Sequence, residues 1–347
     1  MPVLLMALGL VHVACDDFAP ATRIESARVI AVISEPPQAL LGTDVTLRAI
    51  VASEQGLVGD DEVLSNWFLC ADQEAQLLET SFICDEPDAR QVLGNTPTLT
   101  TRIPADFLPD LDDNRRGDPL LTQLFGRYFT AHHEGIALVG TPLRKEESVK
   151  RVVVVPALPL AETAPRLANF DVFYDDNSVL QPNQNPVFLS LEISDAGGAP
   201  IGDAVAPGSV LTLAPIIDAA SIESYQSLAT DLSVLDLESP SAIAELSDAE
   251  LNEALSRRQR CEVPTFSWFV TVGNLQNEVT VFGAFGYHLE VRDEVQCAPE
   301  DIPLGIPDNQ LVLPAANDLT SDEVHVFAVL RDGRGGVDVV TRSFFIQ

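Results

Sequence analysis

Polar and apolar positions alternate along residues 41–53, LGTDVTLRAIVAS. Val45, Leu47 and Ala49 fall on one face, and Asp44, Thr46 and Arg48 on the other. A period of two marks a strand buried on one side. Residues 27–34 (ARVIAVIS) form an apolar run that Pro36 and Pro37 stop, and residues 65–70 (SNWFLC) predict another short strand. Pro104, Pro109 and Pro119 then break the chain into short pieces. Asp118 ahead of Pro119 is placed to cap a single helical turn. Runs at 135–140 and 149–156, joined by the polar TPLRKEES, predict a closing hairpin.

The pattern then comes round again. Residues 208–217 (GSVLTLAPII) align without a gap on 42–51 (GTDVTLRAIV), and FSWFVT around Trp268 matches SNWFLC around Trp67. These are the two tryptophans of the chain, and their mid-strand positions predict core residues. Residues 324–346 repeat the closing hairpin. Three anchors in one order make an internal duplication. The reading is all-β: two tandem antiparallel β-sandwiches over 27–157 and 170–347, joined by a Pro-containing linker at 158–169.

The copies differ in one spacing. Gly42 to Trp67 is 25 residues and Gly208 to Trp268 is 60. The second copy therefore carries about 35 extra residues, near 219–260. Ser247 and Glu250 have capping-box spacing. Leu251, Ala254 and Leu255 line one face, Glu253 and Arg257 are four apart, and Arg257, Arg258 and Arg260 suit a C-terminal helix dipole. The expectation is a short helical insertion about 219–260.

Charge narrows the partners. Lys plus Arg number 20 against 52 Asp plus Glu, a net charge of −32. Phosphate backbones and anionic lipid surfaces are both repelled by such a chain. Nucleic acid is therefore excluded as an expected partner, and membrane attachment needs an anchor. With 46% hydrophobic residues the chain is also no disordered acidic tail.

The opening MPVLLMALGLVHVACDD offers that anchor. Its apolar run is shorter than the roughly 20 residues of a spanning helix and fits a signal h-region. A cysteine directly after it, Cys15, resembles the lipobox of bacterial lipoproteins. That resemblance implies a signal peptide over 1–14, acylation of Cys15 and a lipidated tether over 15–26. A buried N-terminal element with a free Cys15, or cleavage by a general signal peptidase, are the other readings. The alternating strands and the final VHVFAVLRDGRGGVDVVTRSFFI resemble immunoglobulin-like and PKD-type modules. The whole is similar to uncharacterised lipoproteins of Gram-negative bacteria. This resemblance implies immunoglobulin-like sandwiches in the cell envelope, on the outer membrane or periplasmic face, and brings no catalytic residue. Asp16 resembles an inner-membrane retention signal of some bacteria.

With Cys15 acylated, Cys70, Cys84, Cys261 and Cys297 remain, and four cysteines allow three connectivities. Cys70–Cys84 with Cys261–Cys297 keeps each bridge within one domain. Reduced, buried thiols are the alternative.

Candidates for chemistry are sparse. His132, His133 and Glu134 do not form a metal set, because neighbours on a strand point to opposite faces. They read as a polar turn before Ile136. Asp60, Asp61 and Glu62, the run Asp110, Asp112 and Asp113, and Asp175 with Asp176 offer oxygens for calcium, but none has EF-hand spacing. Arg116, Gly117 and Asp118 form a tripeptide short enough to recur by chance. No GxSxG, Walker A or GxGxxG motif occurs. The expectation is a non-enzymatic binding, adhesion or scaffolding module without cofactor or metal, meeting an unknown envelope protein or glycan. The alternative is an envelope hydrolase or carbohydrate-active enzyme. A solute-binding lipoprotein would need alternating β and α elements, which this chain lacks.

Overall fold

The computed structural model describes residues 22–40, 42–70, 90–103, 127–137, 145–155, 183–230, 255–262, 264–281 and 309–347. The first half holds β1 (Arg28–Glu35), β2 (Gln38–Leu40), β3 (Asp44–Ser53), β4 (Gly56–Leu57), β5 (Val63–Cys70), β6 (Arg90–Gly94), β7 (Thr98–Arg102), β8 (Arg127–Ala137) and β9 (Lys145–Val155). One sheet is β1–β3–β4, with β7 also on β3, and the facing sheet is β2–β9–β8–β5–β6. The second half holds β10 (Phe188–Ser194), β11 (Ala204–Val205), β12 (Val210–Ile217), β13 (Ser224–Thr230), β14 (Leu255–Cys261), β15 (Thr265–Val270), β16 (Asn274–Leu275), β17 (Val279–Val281), β18 (Asn309–Val312), β19 (Glu323–Arg331) and β20 (Val337–Ile346). Its sheets are β10–β12–β18–β16 and β11–β20–β19–β15–β17. Each half is thus a four-stranded sheet on a five-stranded one, a β-sandwich. The pairing is antiparallel except at β2–β9 and β11–β20, which are parallel in both copies.

Alternation builds the cores. Along β3 the burial follows the period of two, placing Val45, Leu47 and Ala49 inward with Trp67, Leu99 and Ile103. In the second copy Leu211, Leu213, Phe266, Trp268, Leu311 and Phe344 do the same. Trp67 and Trp268 are both 0% exposed. Each buried indole N–H has an acceptor, Thr96 O at 2.7 Å and Thr280 Oγ1 at 2.9 Å, as a buried tryptophan requires.

Over the described part of the insertion, 219–230 and 255–260, the helix expected about 219–260 does not form. A single 3-10 turn covers Ala219–Ser221, and β13 and β14 then pair antiparallel from Ser224↔Cys261 to Thr230↔Leu255. Arg257, Arg258 and Arg260, read as a helix end, lie in β14. The Ser247–Glu250 box lies outside the described residues. Local helix signals are worth about 1 kcal/mol or less each. A ladder pairing all seven residues of each strand satisfies more backbone groups, and its partner lies too far along the chain for a local pattern to reveal. Among the described residues there is no α-helix.

A third apolar core joins the two sandwiches. Ile30, Ala31, Ile50 and Ala52, on the outer face of β1 and β3, pack against Phe269, Phe327, Val329 and Val337 on the outer face of β15, β19 and β20. β19 is therefore buried on both faces along 324–330. Ahead of β1, Ile24 N donates to Val270 O at 2.8 Å and Val270 N to Thr22 O at 2.9 Å, so the chain touches the second sandwich before it builds the first.

Phe327→Ala removes a fully buried ring from this third core and leaves both sandwich cores intact. It is expected to cost about 3–5 kcal/mol and to split one urea transition into two, followed by tryptophan fluorescence.

Candidate functional site at the junction of the sandwiches

The turn between β19 and β20, Asp332-Gly333-Arg334-Gly335-Gly336, reaches across the junction. Asp332, 1% exposed, accepts from Arg334 N at 2.6 Å, Gly336 N at 2.9 Å and Asn183 Nδ2 at 2.7 Å. Gly333 and Gly335 have φ of 85° and 101°, which few other residues adopt without strain. A Cβ at Gly336 would collide with the Asp332 carboxylate.

The turn aims Arg334 inward. Its guanidinium donates to Glu223 Oε2 at 3.0 Å, Glu262 Oε1 at 2.9 Å and Gln38 Oε1 at 3.3 Å. Gln38 belongs to the first sandwich, while Glu223 and Glu262 flank the β13–β14 arm. Asn185 adds a second tie, donating to Ser34 O at 2.8 Å and accepting from Val337 N at 2.8 Å. Burial pushes the Glu262 carboxyl up to about 8, beyond what the Glu223 N–H and Arg334 take back, with Asp332 and Glu223 adding to the rise.

At another part of the junction lies a cleft of about 530 Å³. Arg23, Glu25, Glu54, Thr271, Ser321 and Glu323 are among its lining residues, three carboxylates to one guanidinium. A cleft of that sign draws cationic groups. His325 adjoins it, 6% exposed, with Nδ1 2.7 Å from Ser343 Oγ and Nε2 3.6 Å from Glu323 Oε1. Burial lowers its pKa, against the pull of Glu323. A Cβ on Gly56 would stand 3.3 Å from the ring, and Gly56 has φ of 110°. Glycine lets the β3–β4 turn close over the histidine.

Ser343, His325 and Glu323 hold the residue types of a hydrolytic triad. Catalysis would need spare N–H donors beside the serine. The nearby Phe345 N instead donates to Asp203 O, and Ser343 is paired with His325 across the β19–β20 ladder. Ser343 Oγ holds Nδ1, while the buried Nε2 has no hydrogen-bond partner among the described residues, so the cluster reads as a sheet histidine satisfied at one nitrogen.

His132, His133 and Glu134 lie within β8, correcting the polar turn expected there. A partner on each side explains the strand: Trp67 faces His133, and Ser148 faces it from β9. His133 is 0% exposed, with Nε2 2.9 Å from Ser65 Oγ and Nδ1 3.3 Å from Ser148 Oγ. Burial lowers its pKa to about 4, opposed by Glu134. Glu134 pairs with Arg90. Asp60–Glu62 forms a 3-10 turn, with Gly59 N donating to Glu62 Oε2 at 3.2 Å. Among the described residues no group of three or more His, Cys, Asp and Glu is arranged to hold a metal. Cys15, Cys84, Cys297, Asp110, Asp112, Asp113, Arg116, Asp118, Asp175 and Asp176 lie outside the described residues, and Cys70 and Cys261 are placed by backbone alone. The Arg334 network went unseen in the sequence; its one signal was a glycine-rich turn between two apolar runs.

No family model matches the chain, and no curated protein does. Among solved structures it is similar to the D00-D0 domain of intimin, at 9% identity and a TM-score of 0.22 over 93% of this chain and 98% of that one. It is similar to murine CEACAM1b at 10% identity and a TM-score of 0.18 over 91% and 99% of the two chains. A DUF4785 family protein from Legionella pneumophila matches at 8% identity and a TM-score of 0.21, over 91% of this chain and 55% of that one.

Two opposed pH dependences follow. Between about 4.5 and 8 the folded chain keeps a proton on Glu262 that the unfolded chain has lost, so stability falls as pH rises through that window. Between about 6.5 and 4 the unfolded chain takes a proton that buried His133 refuses, so stability falls as pH drops. Urea midpoints at pH 5.5 and 8.5 are expected to differ less in Glu262→Gln than in the native chain. His133→Gln is expected to flatten the fall between pH 6.5 and 4.

Proposed function

We propose that this protein is an exported, lipid-anchored module of the cell envelope that binds or scaffolds and does no chemistry of its own. The observation that carries the reading is the apolar core between the sandwiches, in which Ile30 and Phe327 are 4% and 0% exposed. Domains packed over an apolar face move as one body. A rigid body of two sandwiches presents its loop ends and its acidic cleft at fixed spacing, which suits recognition. The satisfied surroundings of His133, whose two ring nitrogens both meet serine hydroxyls, favour this reading over the hydrolase alternative.

The anchor in this proposal is Cys15, left over when Cys70 bonds Cys84 and Cys261 bonds Cys297. Cys70 ends β5 and Cys261 ends β14, each at a strand end where the following segment can return to it. The partner is an envelope protein or glycan. A cationic group on that partner suits the cleft of Glu25, Glu54 and Glu323.

Mass spectrometry of the mature protein tests this directly. The expected N-terminal peptide begins at Cys15 with a diacylglyceryl mass on its thiol, and a non-reducing peptide map links 70 to 84 and 261 to 297. An unmodified N-terminus at Met1 with a free Cys15 thiol ends the anchored reading.

A further inference from the structure

One buried polar atom beside the acidic cleft is left without a partner. The His325 side chain is 7% exposed, and its Nε2 is shut off from solvent with no hydrogen bond among the described residues. Buried polar atoms are nearly always paired, so this one asks for an explanation. The rest of the ring is pinned. Nδ1 lies 2.7 Å from Ser343 Oγ, directly across the β19–β20 ladder. Phe327 lies alongside with ring centroids 6.4 Å apart, and Gly56 closes over the ring. Nε2 is thereby held toward Glu323 Oε1, at 3.6 Å. Glu323 and His325 are two apart on β19, so both project from the same face of the sheet. Glu323 lines the cleft, and its side chain is 45% exposed.

The separation selects what can sit between the two atoms. At 3.6 Å they are too far apart for a good hydrogen bond. A water or an ammonium nitrogen, about 2.8 Å from each, would have to hold both at an angle of about 80°, well short of tetrahedral. An ion of the zinc class binds imidazole nitrogen and carboxylate oxygen at about 2.0–2.2 Å. Two bonds of about 2.1 Å close on 3.6 Å at an angle of about 118°, near the tetrahedral value. The surroundings have the right sign. Glu25 and Glu54 line the same cleft, and the Arg23 guanidinium in its wall lies 3.7 Å from Glu25. Carboxylates gathered in a cleft raise the local concentration of cations.

We propose that Glu323 Oε1 and His325 Nε2 bind one divalent ion of the zinc class at the edge of the acidic cleft. In this site Nδ1–H donates to Ser343 Oγ, which leaves the Nε2 lone pair to the ion. Ser343 is then the positioning residue behind the ligand. An imidazole beside a carboxylate suits zinc, whereas magnesium and calcium take oxygens. Two protein ligands are one fewer than a catalytic zinc site has, and among the described residues no third is arranged to join them. The ion is therefore exchangeable, and water from the cleft fills its remaining positions. The site goes beyond the anchored binding module and stands without it, since neither ligand depends on Cys15.

The test is equilibrium dialysis of the full chain, first stripped with a chelator, against zinc chloride. Magnesium in about hundredfold excess occupies sites made of carboxylates alone. The expected result is one zinc ion per chain that Glu323→Gln loses, with the thermal midpoint of the metal-free chain unchanged. Glu323→Gln keeps the size of a half-exposed side chain, so it separates loss of the ligand from loss of the fold. His325→Gln is expected to lose the ion as well. Ser343→Ala is expected to weaken binding by about tenfold, and Ser343→Thr, which keeps the hydroxyl, to restore it. A native chain that retains no zinc over magnesium overturns the inference. So does a Glu323→Gln chain that retains as much zinc as the native one.

Discussion

The contact between the β1–β3 face and the β15–β19–β20 face hides apolar side chains on a side of each sheet that an isolated sandwich would expose to water. Burying a side chain such as Phe327 is worth about 1.5–3 kcal/mol, and several do so here. The consequence is written into β19. Residues 324–330 are buried throughout, and VHVFAVL runs apolar almost without break where a one-sided strand would alternate. That strand is the wall between two cores, and the rest of the molecule is arranged on either side of it.

A polar rim closes around this apolar centre. Arg334, Glu262, Glu223, Asp332, Gln38 and Asn183 bring together the first sandwich, the arm and the second sandwich. Such a network stabilises little in net terms, since desolvation offsets much of the Coulomb attraction. Its effect is on register. An arginine buried among carboxylates has one low-energy position, and a shift of the sandwiches would leave charges buried without partners. Burial, not the number of pairs, is what sets Glu262 and His133 apart from the many exposed carboxylates of this acidic chain.

Much of the fold was legible because strand periodicity is local. The alternation of residues 42–51, its recurrence at 208–217 and the two tryptophans located both sandwiches, and the structure pairs their strands accordingly. The expected helix end at Arg257, Arg258 and Arg260 gives way to a strand because helix signals are local, while β14 answers to β13, about 30 residues earlier. His133 was read as a turn residue because its partners Ser65 and Trp67 lie far back in the chain. The junction was illegible for the same reason: Gln38 and Arg334 stand 296 residues apart. No periodicity reports such a meeting. The bulges in β1 at Ile30 and in β10 at Leu189 were equally hidden, since each adds one residue without disturbing composition.

The short pairing of residues 22–24 with Val270 has a mechanical consequence. Force drawn along the N-terminal segment does not pass first into β1. It enters the second sandwich through Ile24 N to Val270 O and Val270 N to Thr22 O, at 2.8 and 2.9 Å. β20, the last strand, belongs to that same sandwich. Tension between the N-terminal segment and β20 is therefore carried by β15, β19 and β20 across their cross-strand bonds. The first sandwich, which comes earlier in the chain, lies off the line of pull for as long as that clasp holds.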